Sequence, residues 1–134
     1  MRPEQITYRL LVSEDDRQKA HAFLEELGQA EPSLGFPTVL GWKDGEIVTL
    51  FATHDNDEEL IAGPLAWRPM EGNLIIRLVR TIEAYENVLR YAGVKEYLCY
   101  VPDKHARWKQ YIEEILETEP LKVETDRTWY RRIL

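Results

Sequence analysis

Hydrophobic residues between positions 73 and 92 recur at steps of three and four residues. This spacing predicts one long amphipathic helix, because such positions share one face of a 3.6-residue period. The stripe consists of Ile75, Leu78, Val79, Ile82, Tyr85, Leu89 and Ala92. The polar residues off this stripe are expected to stay in solvent, and they are Arg77, Arg80, Glu83, Asn87 and Arg90.

Both ends of this helix carry recognisable signals. Asn73 is placed to cap the first turn with its side-chain oxygen. Gly93 is placed where a left-handed residue ends a helix. Residues 94–101 are then mostly apolar, which predicts a strand covered on both faces, as in a mixed or parallel sheet. Helix, glycine and buried strand together indicate the second half of a crossover unit.

The remainder of the chain alternates predicted strands and helices. Ser13 is a candidate N-cap for a helix over residues 14–27, and Asp44-Gly45 signals a tight turn between two strands. A third helix is predicted over residues 102–116, with Trp108, Tyr111, Ile112, Ile115 and Leu116 at helical spacing. The predicted strands cover residues 6–12, 38–42, 46–53, 60–67, 94–101, 121–125 and 128–134. The predicted order is therefore β-α-β-β-β-α-β-α-β-β.

Composition restricts the class of protein. The chain of 134 residues is long enough for one core, so we expect a single domain over residues 1–134. The formal charge of −7 argues against a nucleic-acid-binding surface over much of the protein. One cysteine fits a reducing compartment, and no run of residues is apolar enough for a membrane helix. The expected location is the cytoplasm.

Metal and nucleophile chemistry are not expected. Residues 54–59 gather one histidine and four carboxylates, but they lack the ligand spacing of a calcium loop and a second histidine. This segment is predicted to be a turn with solvated charges. Cys99 lies in a predicted buried strand, where a thiol acts as a small apolar filler.

The element order and several short motifs resemble the GNAT superfamily of acyl-CoA-dependent N-acyltransferases. Ala92-Gly93-Val94-Lys95-Glu96-Tyr97-Leu98 is similar to the family's entry into its fifth strand, and Pro102-Asp103-Lys104-His105-Ala106 is similar to the start of its following helix. The hairpin around Lys43-Asp44-Gly45 is similar to the family's strands two and three. The resemblance implies an α/β (α+β) fold: a mixed, mostly antiparallel sheet of six or seven strands with helices on both faces.

The family binds the pyrophosphate of coenzyme A with a glycine-rich loop before the long helix. Here that loop reads Arg68-Pro69-Met70-Glu71-Gly72-Asn73, so Arg68, Gly72 and Asn73 are the candidate cofactor-binding residues that the resemblance implies. Pro69 removes an amide donor, and Glu71 adds a like charge whose repulsion of a diphosphate is on the order of a few kcal/mol. Gly63-Pro64 also predicts a bulge or kink in the fourth strand.

The family's tyrosine general acid would fall on Gln110, one position before Tyr111. Tyr111 is therefore the candidate catalytic residue, with packing on the apolar stripe as its alternative role.

These departures favour a GNAT-fold protein with an eroded acyl-CoA loop that acts as a structural or interaction protein. The resemblance extends to small phage-encoded GNAT-like proteins, including virion core proteins, which implies protein partners or self-assembly, no cofactor, and a virion location. The alternative is an active acetyl-CoA-dependent N-acetyltransferase with an atypical loop. A third hypothesis is a small-molecule binder that keeps the cleft between strands four and five.

Overall fold

The order of strands and helices is the one that the sequence pattern predicts. The computed structural model describes residues 5–29, 34–54, 60–69 and 73–134. The strands are β1 (Thr7–Leu10), β2 (Gly35–Lys43), β3 (Glu46–His54), β4 (Ile61–Trp67), β5 (Glu96–Pro102), β6 (Pro120–Val123) and β7 (Arg127–Ile133). The helices are α1 (Glu14–Glu26), α2 (Leu74–Tyr91) and α3 (Ala106–Glu114), and a 3₁₀ turn, Asp103–His105, precedes α3.

The described strands form one seven-stranded sheet in the order β1-β2-β3-β4-β5-β7-β6. Neighbouring strands are antiparallel apart from β4 and β5, which run parallel because α2 carries the chain across between them. The predicted fold class, a mixed and mostly antiparallel α+β sheet, is confirmed.

Helices cover both faces of the sheet. α1 packs Phe23 and Leu24 against one face, where they meet Leu40 and Leu50. α2 and α3 pack on the opposite face. The buried members of that second core include Val39, Phe51, Leu78, Ile82, Tyr85, Leu89, Tyr97, Trp108 and Ile112. Successive residues of β2 and β3 therefore contribute to different cores, as the alternation of side chains along a strand requires.

The predicted caps at the start of α1 and at both ends of α2 are confirmed, whereas α3, predicted over residues 102–116, covers Ala106–Glu114. Asn73 Oδ1 accepts a hydrogen bond from the Ile76 amide at 3.2 Å, and Ser13 Oγ accepts one from the Asp16 amide at 3.0 Å. Gly93 has a φ of +84°, the left-handed conformation expected after the last turn of α2.

The predicted positions of three side chains, Arg77, Ile115 and Ala92, were wrong, and Ala92, expected on the buried stripe of α2, is exposed. Arg77 was expected in solvent, but it is 5% exposed, because the N-terminal part of α2 lies over the sheet near β1, where Tyr8 donates a hydrogen bond to the Arg77 carbonyl. Ile115 was expected in the core, but it is 64% exposed, because α3 ends at Glu114.

The strands β4 and β5 separate soon after they pair. Their described register contains Ile61 opposite Leu98 and Ala62 opposite Cys99, although β4 continues to Trp67. At the point of separation β4 carries the predicted bulge, because Gly63 and Pro64 together face one residue of β3. This divergence opens a wedge in the middle of the sheet.

Candidate functional site

The wedge between β4 and β5 leads into a cleft of about 540 Å³ on the α2 and α3 side of the sheet. The end of β4, the first turns of α2 and the start of α3 form its walls. The lining residues are Trp67, Asn73, Leu74, Ile75, Leu78, Lys104, His105, Ala106, Arg107 and Trp108. The cleft therefore has an apolar floor and a cationic rim.

The charge of this cleft is positive. Lys104 in the 3₁₀ turn and Arg107 in the first turn of α3 contribute two cations, and no carboxylate is present among the lining residues that the structure describes. The N-terminal turn of α2 also faces the cleft through Asn73 and Leu74, and the amide groups of a helix N-terminus favour anions. The arrangement suits a ligand that has both an apolar segment and negative charge.

His105 and Trp67 both line the cleft, and their rings are in contact. Their ring centroids are 4.8 Å apart and the planes are tilted by 56°. Burial lowers the pKa of His105 below its ordinary 6.5, and the nearby Lys104 charge lowers it further. His105 is therefore neutral at pH 7 and adds an uncharged wall rather than a third cation.

The predicted cofactor-binding residues do not come together in the described part of the chain. Asn73 lines the cleft. Arg68 forms ion pairs with Glu26 and Glu46, both at 3.0 Å, and its guanidinium lies 5.7 Å from the Phe23 ring on the α1 side of the sheet. Gly72 lies outside the described residues. A cofactor role for these residues stays a prediction, while Lys104 and Arg107 supply the cations at the cleft.

The predicted catalytic residue, Tyr111, packs against the wall of the cleft. Its ring stacks on Trp108 with centroids 5.2 Å apart and planes at 9°. Trp108 is buried and lines the cleft, whereas Tyr111 is half-buried beside the α2 core. The packing role that the apolar spacing indicated is thus present, and a catalytic role for Tyr111 stays a prediction.

Tyr100 lies at the vertex of the wedge, on the face opposite the cleft. Its neighbours Cys99 and Val101 point into the α2 core, so the alternation of a strand directs Tyr100 to the other side. A Cβ atom on Gly63 would lie 2.6 Å from Tyr100 Cε1, so only glycine accommodates the ring at this position. Arg127 lies 4.7 Å above the Tyr100 ring, and Trp129 contacts it at 5.3 Å.

Sequence reasoning did not single out His105, which lines the cleft, or Tyr100, which packs on Gly63 beside the wedge. Gly63 in β4 was the available signal for Tyr100, since a glycine inside a strand often marks the close approach of another group. His105 was part of a recognised motif, but its contact with Trp67 joins the 3₁₀ turn to β4, which are distant in the chain.

The metal prediction concerns residues 54–59, of which 55–59 lie outside the described residues. Within the described residues, no group of three or more histidine, cysteine, aspartate or glutamate side chains is arranged to hold a metal ion. The helices described here include none that is long and apolar enough to cross a membrane.

Comparison with solved structures identifies the fold. An acetyltransferase of the GNAT family from Staphylococcus aureus Mu50 superimposes with a TM-score of 0.72 at 12% identity, covering 97% of this chain and 99% of the other. This chain has the fold of GNAT acetyltransferases. The PaiA N-acetyltransferase from Thermoplasma acidophilum, solved in complex with coenzyme A, gives 0.72 at 10% identity, with 98% and 100% coverage. The Campylobacter jejuni N-acetyltransferase PseH, in complex with acetyl coenzyme A, gives 0.58 at 15% identity, with 96% and 99% coverage.

No protein-family model matches the sequence. A search of curated proteins likewise gives no significant match. At these identities the likeness to solved structures concerns the fold, so the function has to be argued from the cleft.

Proposed function

We propose that the cleft binds the coenzyme A part of an acyl-CoA thioester and that the protein transfers the acyl group to an amine. The observation that carries this proposal is the position of Lys104 and Arg107 on the rim of an apolar cleft that opens where β4 and β5 separate. Two relatives in fold, PaiA and PseH, were solved with coenzyme A and acetyl coenzyme A.

The lining residues fit the parts of such a ligand. Lys104, Arg107 and the N-terminal amides of α2 would hold the phosphates, because cations and helix N-termini both favour anions. Trp67, Leu74 and Leu78 would pack against the pantetheine arm. The cations come from the 3₁₀ turn and the first turn of α3, so this site does not depend on Arg68, which forms ion pairs on the other face.

When bound, an acyl-CoA supplies an activated acyl carbon: attack by an amine forms the C–N bond, breaks the C–S bond, and leaves the amine's proton for the sulfur. The wedge would give the amine access from the face opposite the cleft. Tyr100 lies on that face beside Gly63, and we assign its hydroxyl the role of exchanging a proton with the reacting groups.

Titration with acetyl-CoA tests the binding step. At about 100 times its dissociation constant the ligand should raise the free energy of unfolding by about 2.7 kcal/mol, which thermal denaturation detects readily. S-acetylpantetheine, which lacks the nucleotide phosphates, is the control ligand and should bind more weakly than acetyl-CoA. Release of free thiol in the presence of a panel of amines then measures transfer. A protein with no thermal shift at saturating acetyl-CoA would exclude this function.

The structure of β4 next to the wedge favours a second function. Pro64 has no backbone N–H to offer an acyl carbonyl, and the Tyr100 ring packs directly on Gly63 at the vertex. These features suit a protein that keeps the fold and acts through its surface, including a place in a phage virion as the resemblance implies. Absence of acetyl-CoA binding, together with neighbouring genes for portal, tail or internal virion proteins, would support it.

A further inference from the structure

The strand β6 is the last strand of the sheet, and its outer edge is bare in the described chain. All four of its residues are exposed. Val123 is 70% exposed and Leu121 is 49% exposed, so the edge presents apolar side chains together with unpaired backbone groups. Such an edge is a template for pairing with another strand.

The other edge of the sheet is different. The exposed residues of β1 are Thr7 and Arg9, while Tyr8 and Leu10 pack against the α2 core. Arg9 also forms an ion pair with Asp16 at 3.8 Å and lies 4.5 Å from the Trp42 ring. The exposed side chains of β1 are polar, and Arg9 already contacts other residues, so this edge is less suited to pairing with another strand. The edge strand β6 is therefore the better candidate.

The hydrogen bonds of the β6–β7 hairpin determine which backbone groups are available. Glu124 donates its amide to the Arg127 carbonyl at 2.8 Å, so Glu124 faces β7. Val123 pairs with Thr128 in the next register position, and alternate residues of a strand direct their N–H and C=O groups to opposite sides. The N–H and C=O of Val123 are therefore directed outward.

Lys122 and Glu124 form an ion pair within the chain at 3.8 Å, and among the registers centred on residues 122 to 124 charge favours one for pairing with an identical strand. A two-fold axis at Val123 places Lys122 opposite Glu124 of the second copy, and Glu124 opposite Lys122 of the second copy. An axis at Lys122 would oppose two lysines, and an axis at Glu124 would oppose two glutamates. Like charges directly opposite each other destabilise a strand pair, so the register at Val123 is favoured.

We propose that β6 pairs antiparallel with β6 of a second copy of this chain about an axis at Val123, so that the two sheets become continuous. The occupant is a second copy because the short strand is complementary to itself in backbone direction and in charge. The two Val123 side chains meet as a cross-strand pair on the same face as Thr128. This inference is independent of acyl transfer.

Sedimentation velocity over a range of protein concentrations tests the proposal. The wild-type chain should sediment as a dimer. Lys122→Glu and Glu124→Lys should each raise the dimer dissociation constant by about tenfold or more, since each places like charges opposite each other twice. Lys95→Glu, an equal charge reversal at an exposed position outside β6, is the control and should leave the dimer intact.

Rescue separates a broken interface from a misfolded variant. Glu124 also accepts a hydrogen bond from Trp129 Nε1 at 2.6 Å, so Glu124→Lys alters the hairpin as well as the proposed interface. An equimolar mixture of the Lys122→Glu and Glu124→Lys proteins should form heterodimers, because opposite charges then face each other again. A monomeric wild-type chain, or single variants that dimerise as well as the wild type, would overturn the proposal. Failure of the mixture to associate would overturn the assigned register.

Discussion

Arg132 donates two hydrogen bonds to the carboxylate of Glu86, from Nε to Oε2 at 3.0 Å and from Nη2 to Oε1 at 3.1 Å. Tyr97 donates a third to Glu86 Oε2 at 2.6 Å. Glu86 is 3% exposed, so this charge is removed from water and depends on these partners. One carboxylate on α2 thus connects β5 and β7.

Breaking this pair should be costly. Glu86→Gln keeps the size of the side chain but leaves the Arg132 charge without its counterion, and we expect a loss of about 3 kcal/mol in the free energy of unfolding. Glu83→Gln makes the same change one turn earlier on α2 at an exposed position, and should alter stability by less than about 0.5 kcal/mol. Urea denaturation measures both. Equal stabilities for the two variants would contradict the role assigned to the pair.

The ion pair between Glu86 and Arg132 could not be predicted from the sequence. Local spacing identified the apolar stripe of α2, its Asn73 cap and its Gly93 end, because these depend on residues within one or two turns. Glu86 and Arg132 are 46 positions apart, so no local pattern reveals that they meet. The prediction that Arg77 is exposed was wrong for a similar reason, since the burial of Arg77 depends on how α2 crosses the sheet.

The candidate site was predicted less completely than the fold. The residue types predicted the bulge at Gly63-Pro64, and the apolar spacing predicted a helix after β5. The positions of Lys104 and Arg107 on the rim could not be predicted, because they depend on the orientation of α3. Arg68, chosen by its place in a motif, instead meets Glu26 and Glu46, which are distant in the chain.

The cations of the cleft should matter for ligand binding rather than for folding. Lys104→Gln and Arg107→Gln should each weaken acetyl-CoA binding by about tenfold, because each removes a charged contact with a phosphate. Arg80→Gln removes the same charge from the exposed side of α2 and is the control. Isothermal titration calorimetry gives the dissociation constants. If all three variants bind as the wild type does, the phosphates are not held by this rim.

The titration of His105 should follow its burial and its neighbour. The pKa of His105 is lower in the folded chain than the 6.5 expected in the unfolded chain. At a pH between the folded and the unfolded pKa, the unfolded chain therefore binds a proton that the folded chain does not. Stability should therefore fall as the pH drops through this window, and flatten below the folded pKa. Nuclear magnetic resonance of the imidazole ring measures the pKa directly. Lys104→Gln should raise it, since the Lys104 charge contributes to the depression; an unchanged value would leave burial as the sole cause.

The Cys99 thiol should be inert in the folded protein. Burial raises the pKa of Cys99 to about 12, so at pH ~8 the thiolate fraction is on the order of 10⁻⁴. Iodoacetamide should leave the native protein unmodified and should alkylate it in guanidinium chloride, as mass spectrometry reports. Free cysteine in the same solution is the reactivity control. Rapid alkylation of the native chain would mean that β5 opens readily.

The brief pairing of β4 with β5 changes how the sheet holds together. Two register pairs join the β1–β4 portion to the β5–β7–β6 portion in the described residues, so the backbone ladder is nearly interrupted there. Tyr85 spans the gap: its ring lies 4.5 Å from Phe51 on β3 and 5.5 Å from Tyr97 on β5. The two portions of the sheet are therefore joined by a short ladder at Ala62 and Cys99 and by an aromatic side chain of α2 that packs against both of them.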